Sequence, residues 1–176
     1  MSALSVLYIV LPILAVSFCH ALEVVFTARR WASHHSASSD EAHQSLVNIL
    51  IRLSGMNMSA LVIAAVVGFL AVLLSTAALF AGGLWAEFVW TTVFMAYSVC
   101  ALINLVRAVT LKGYVPGLVT SIISVPLIAY AAYSLSLVWP WWEMLIFAIL
   151  GLVLAVAGHF IAQRIGRYST TISASL

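Results

Sequence analysis

Ser17-Phe18-Cys19-His20-Ala21-Leu22-Glu23-Val24-Val25-Phe26-Thr27 closes the first long apolar run of the chain. A histidine and a carboxylate stand three residues apart in a segment that otherwise reads as lipid-facing. On a helix, positions i and i+3 share a face. Ser17, His20, Glu23 and Thr27 therefore form one polar stripe on an oily helix. An ionisable side chain at membrane depth costs roughly 2.5–3.5 kcal/mol on insertion scales, so such a stripe marks a functional site by default.

The remainder of the chain fits that reading. Of its 176 residues, 65% are hydrophobic and only 7% are charged. Soluble domains carry about 25% charged residues. The composition excludes a soluble domain and predicts a polytopic, all-α membrane protein. Five apolar segments approach the ~20 residues that a bilayer requires. They span residues 3–27, 57–81, 84–107, 116–139 and 141–163, in a single transmembrane domain over 1–176. The first is not read as a cleaved signal peptide, because it has no basic residue ahead of it and its apolar core is too long. Cys19 and Cys100 sit in apolar runs and suggest no disulfide framework.

Basic residues set the expected orientation. Arg29, Arg30, Arg52, Arg107, Lys112, Arg164 and Arg167 all fall on one side of the five segments. This predicts the N-terminus outside and the C-terminus in the cytoplasm. Trp85, Trp90, Trp139, Trp141 and Trp142 gather at the opposite face. Between the first two segments lies a loop, residues 28–56. Its His34, His35, Asp40, Glu41 and His43 match no zinc spacing and read as solvated. Its later half, with Leu46, Ile49, Leu50 and Leu53 at helical spacing, predicts a short interfacial amphipathic helix.

The polar residues share a depth. His20 and Glu23 in the first segment, Asn104 in the third and His159 in the fifth all fall in the inner third of their segments. Asn57 and Ser59 open the second segment, and Thr120, Ser121 and Ser124 follow the start of the fourth. Gly151, Ala155, His159 and Ala162 form a small-residue face, which predicts that His159 points into the bundle. Glu23, Asn104 and His159 are expected to converge, with Arg107, Tyr114 and Thr120 supporting them. Pro126 predicts a kink in the fourth segment, and Pro116 suits its first residue.

His20-Ala-Leu-Glu23, Tyr114-Val-Pro116-Gly117-Leu-Val-Thr120, Pro126 and the late His159 resemble the bacterial HXXEE-motif membrane proteins. That family carries His-x-x-Glu-Glu in its first transmembrane helix, and its function is not established. Here the second Glu is Val24, which leaves one carboxylate fewer and ranks a mononuclear metal site above a dinuclear one.

Function stays open between classes. One is an intramembrane enzyme acting on a lipid-like or isoprenoid substrate. His20 and Glu23 would be its catalytic pair, or one divalent metal ion would sit on His20, Glu23 and His159. Another is a non-catalytic accessory or structural subunit, in homo- or hetero-oligomers, whose polar groups join helices. A proton or small-solute pathway and a pigment or lipid binder complete the set. Membrane lipids are the expected surroundings, and nothing points to nucleic acid. His20→Asn and Glu23→Gln are expected to remove titration while keeping the hydrogen-bonding shape.

Overall fold

The computed structural model describes residues 3–36, 58–82 and 85–173. These form five helices: α1 (Ala3–Ser36), α2 (Met58–Ala81), α3 (Ala86–Thr110), α4 (Leu118–Ser136) and α5 (Trp141–Ser173). There is no strand among the described residues. All five helices are long and apolar enough to cross a membrane, so the all-α membrane architecture stands. The expected interfacial helix falls within residues 37–57, outside the described residues.

Two helices outrun their apolar segments. α1 continues from Ala28 to Ser36, and α5 continues past Gln163 to Ser173. Neither extension contains a proline, and hydropathy marks where the oily part stops, not where the hydrogen-bond ladder stops. α4 is shorter than its segment at both ends. Pro116 lies one residue before its N-cap, Gly117, and the helix runs unbroken through Pro126.

α1, α2, α3 and α4 each pack on their neighbours in order, and α4 returns to α1, closing a four-helix ring. α5 lies on the outside of this ring, in the groove between α2 and α3. Gly151 permits that approach. A Cβ there would stand 2.7 Å from the Ala96 backbone N and 2.8 Å from Met95 Cβ. The small-residue face of α5 does pack against protein, but against the ring's outer surface.

The ring has two unlike ends. Near the Trp-rich end, Ile9, Val10 and Ile13 of α1 meet Val72 of α2, Trp90 and Phe94 of α3, and Ala131 and Leu135 of α4. Trp90 and Phe94 stack with centroids 5.5 Å apart and planes 5° from parallel. Near the basic end, hydroxyls, an imidazole, an amide and a carboxylate replace this apolar core.

Candidate functional site

α4 begins with an unusual need. Its N-cap residue is Gly117, at φ 87°, which brings no side chain to the exposed N–H groups of the first turn. A helix N-terminus leaves four backbone donors without intrahelical partners, and in a bilayer each unanswered donor costs several kcal/mol. Leu118 N bonds the Val115 carbonyl at 3.0 Å. The next two donors are met by α1. Val119 N donates to Glu23 Oε1 at 3.1 Å, and Thr120 N donates to Glu23 Oε2 at 2.9 Å. Ser121 N then begins the regular ladder on the Gly117 carbonyl. Glu23 is thus a capping carboxylate supplied by another helix, placed where the α4 macrodipole is positive.

Two hydroxyls complete its shell. Thr120 Oγ1 donates to Glu23 Oε2 at 2.7 Å, and Tyr114 Oη donates to Oε1 at 2.7 Å. Donors on both oxygens are what a carboxylate takes, since it accepts only. Tyr114 lies outside the membrane-spanning segments. Its phenol is pushed above its ordinary value, chiefly by burial; the Thr27 hydroxyl beside it acts in the opposite direction, and the Glu23 carboxylate it serves raises it further.

The Thr120 hydroxyl also fixes the histidine. His20 Nδ1 lies 2.9 Å from Thr120 Oγ1. Of the two acceptors near the Thr120 hydroxyl, Glu23 Oε2 at 2.7 Å is closer than the Gly117 carbonyl at 3.2 Å; with the proton on Glu23, Thr120 accepts from His20 Nδ1–H. The order is His20 Nδ1–H to Thr120 Oγ1–H to Glu23 Oε2. In the neutral imidazole this leaves the lone pair on Nε2. The Gly117 backbone also bonds the imidazole, and among the described residues no side chain bonds His20 Nε2. The imidazole presents an edge to Tyr97, with ring centroids 6.1 Å apart.

Gly117 makes room for this arrangement. A Cβ at that position would stand 2.5 Å from His20 Cε1 and 3.1 Å from Asn104 Nδ2. The imidazole and the Asn104 amide therefore flank the same point of backbone. α3 supports the inner face of α4 from its other side. Tyr97 Oη bonds Ser124 Oγ at 2.7 Å, and Asn104 Nδ2 lies 3.5 Å from Ser121 Oγ. Ser121 and Ser124 are fully buried, and each returns its own proton to a carbonyl one turn back in α4. The α3–α4 turn is tied to α1 by Trp31 Nε1, which donates to the Tyr114 carbonyl at 2.7 Å.

The predicted residues separate into two groups. His20, Glu23, Thr120, Tyr114 and Asn104 come together. His159 does not join them: its Nε2 pairs with Gln163 Nε2 at 2.8 Å on α5, outside the ring. The metal set His20, Glu23 and His159 is therefore not assembled, and no group of three His, Cys, Asp or Glu ligands occurs among the described residues. Similar depth did not bring similar position, because α5 packs on α2 and α3 whereas the cluster lies among α1, α3 and α4. Arg107, one turn beyond Asn104 and near Cys100, makes no hydrogen bond or ion pair with a described residue. Sequence reading missed Gly117 and the Val119 and Thr120 amides. The signal was a membrane helix opening on Pro-Gly without a Ser, Thr, Asp or Asn cap.

The fold and cluster define a polytopic helical membrane protein in which a His–Thr–Glu hydrogen-bond chain joins the first helix to the fourth. Residues 11–131 match the model of the family described as protein of unknown function with HXXEE motif, and the chain belongs to that family. The match takes in the cluster on α1, α3 and α4 and stops before α5. Comparison with curated proteins and with solved structures finds no match. Val24, in the place of the motif's second Glu, is 2% exposed and packs in the ring.

Proposed function

We propose that this protein is an intramembrane acid–base enzyme acting on a lipid-like substrate, with His20 as the residue that exchanges the proton. The observation that carries this reading is the oriented chain from His20 through Thr120 to Glu23, which leaves Nε2 of an intramembrane imidazole without a side-chain partner among the described residues. A histidine serving only to join helices gains most by using both nitrogens. Here one nitrogen is held and the other is presented. Glu23 is a positioning residue in this scheme: it sets the direction of the Thr120 hydroxyl, which sets the imidazole tautomer. Apolar surroundings favour substrates that enter from the bilayer, and the one-sided basic residues put the cluster in the cytoplasmic leaflet, with the N-terminus outside.

The accessory reading has its own support, because Glu23 is fully occupied as a cap for α4. One experiment separates them. Membranes carrying the wild-type chain or His20→Gln are incubated in deuterated water, and extracted lipids and isoprenoids are analysed by mass spectrometry. Acid–base chemistry predicts a lipid species whose amount or deuterium content depends on His20, falling about 10²–10⁴-fold in the variant. Identical lipid profiles, with both proteins folded, would leave the accessory role. Orientation is tested by an impermeant thiol reagent on intact cells carrying a cysteine at Ser2 or Ser175. Labelling at Ser175 alone would reverse the assignment.

A further inference from the structure

Three polar groups in or next to the cluster lack a side-chain partner among the described residues. His20 Nε2 is one. Asn104 is the second: its amide nitrogen reaches Ser121, and its Oδ1 meets no donor among the described residues. Arg107 is the third. It lies in the last turn of α3, one turn beyond Asn104 toward the basic end, and has neither an ion pair nor a hydrogen bond among the described residues. The cluster's carboxylate cannot serve it, because Tyr114, Val119 and Thr120 already occupy both Glu23 oxygens. No buried polar side-chain atom among the described residues is without a partner, so all three groups are reachable from outside the protein.

A guanidinium keeps its proton under all ordinary conditions and presents a planar fork matched to carboxylate or phosphate oxygens. In the last turn of a membrane-spanning helix it reaches the interfacial depth where lipid phosphate oxygens lie. Asn104 precedes it by three residues, about 4.5 Å along the helix axis. The Asn104 amide in turn shares the Gly117 backbone with the His20 imidazole. Beside this row, Ile103 and Val106 of α3 and Val119, Ile122 and Ile123 of α4 are exposed apolar side chains.

We propose that Arg107 anchors the anionic group of an amphiphile, most simply a phosphate ester. Asn104 accepts from a hydroxyl or amide close to that group, and His20 faces the atom beside it. The apolar chain lies along the exposed flank of α3 and α4. The proposal rests on the acid–base reading for the role of His20. It adds the substrate class: an anionic amphiphile that reacts at its head-group end and not far down its tail.

The test uses the full-length protein in phosphatidylcholine nanodiscs, with and without phosphatidylglycerol, and reads the lipid retained by native mass spectrometry. Four proteins are compared: wild type, Arg107→Gln, Lys112→Gln and His20→Gln. Wild type should retain phosphatidylglycerol about tenfold over phosphatidylcholine, equivalent to roughly 1.4 kcal/mol, and Arg107→Gln should lose that preference. Lys112→Gln, which removes an exposed charge nearby, and His20→Gln should keep it. Arg107→Lys covers the case in which the glutamine variant does not fold: a point charge without the fork should retain less than wild type. Inorganic phosphate, titrated in phosphatidylcholine discs, distinguishes a lipid head group from a soluble phosphate ester; Arg107-dependent thermal protection would assign the soluble source to the same anion site. Equal retention by wild type and Arg107→Gln, with no phosphate protection, overturns the site. Equal loss in Lys112→Gln does so too, by reducing it to general surface charge. Retention in His20→Gln separates this proposal from the reaction, since the anion site then stands whether or not the acid–base chemistry does.

Discussion

The two ends of the four-helix ring are built on different principles. At the Trp-rich end, Ile13, Val72, Trp90, Phe94 and Leu135 meet mainly through apolar packing. Among the described residues, a side-chain hydrogen bond crosses between helices there from Trp90 Nε1 to Thr76 Oγ1 at 3.3 Å. At the basic end the helices meet through directed bonds of 2.7–3.1 Å, and a single carboxylate answers four donors. Lipid tails are as apolar as leucine, so helices in a bilayer gain little from hiding oily surface on one another. The apolar end therefore tolerates substitution that keeps volume, whereas the polar end fixes the angle and register of α1 against α4. Single substitutions can measure that asymmetry.

The largest effect should come from Glu23. Glu23→Gln leaves one accepting oxygen and turns an amide NH₂ toward donors at the start of α4. Two backbone N–H groups and two hydroxyls then compete for half the acceptors. We expect a loss of roughly 2–4 kcal/mol, with faster hydrogen exchange at Val119 and Thr120, measured by unfolding in bicelles. This revises the expectation that glutamine keeps the hydrogen-bonding shape, because the shape in question is acceptance on both oxygens. A loss below about 0.5 kcal/mol would mean that the carboxylate is not the cap of α4.

Gly117→Ala should come second. Its positive φ disfavours any L side chain by roughly 1–2 kcal/mol, and its Cβ would displace the His20 imidazole. The histidine NMR signal should shift along with the melting temperature. Gly68→Ala is the internal control, since a Cβ there meets nothing within 4 Å. Equal effects at the two glycines would remove the case for a backbone cradle under His20.

These two sites show how far the sequence could be read. The five helices were legible because length and hydropathy alone decide a span. His20, Glu23, Asn104, Tyr114 and Thr120 were legible because ionisable and amide groups are costly at that depth. Neither signal holds lateral information. His159 has the right depth and the wrong neighbours, because which helix packs beside which depends on complementarities such as Gly151 against Ala96. The backbone partners of Glu23 were missed for a related reason. A side chain's partners include backbone amides, and amides leave no mark in a list of residue types.

Phe94→Leu probes the other end of the comparison. Phe94 is 1% exposed and stacks on Trp90. A hydrophobic replacement of smaller size should cost about 1–1.5 kcal/mol, leave the His20 signal unchanged and leave anionic lipid retention intact. Loss of either readout would show that the apolar end controls the polar one, and the contrast between them would fail.

The smallest effect belongs to Tyr114, at the rim of the polar end. Its phenol must be protonated to donate to Glu23, and its titration is pushed upward by burial and by that carboxylate. A group whose proton is held more tightly in the folded state contributes in full below its ordinary value and loses that contribution as pH rises through the raised one. For tyrosine the ordinary value is about 10. The latch should therefore be insensitive to pH across the neutral range and weaken only above about pH 10. Tyr114→Phe should remove it at every pH, at about 0.5 kcal/mol because the side chain is partly exposed. The difference in phenolate absorbance between wild type and Tyr114→Phe isolates this titration from those of the other tyrosines. A midpoint at or below 10 would mean that Tyr114 does not donate to Glu23, and the α3–α4 turn would then rest on Trp31 alone.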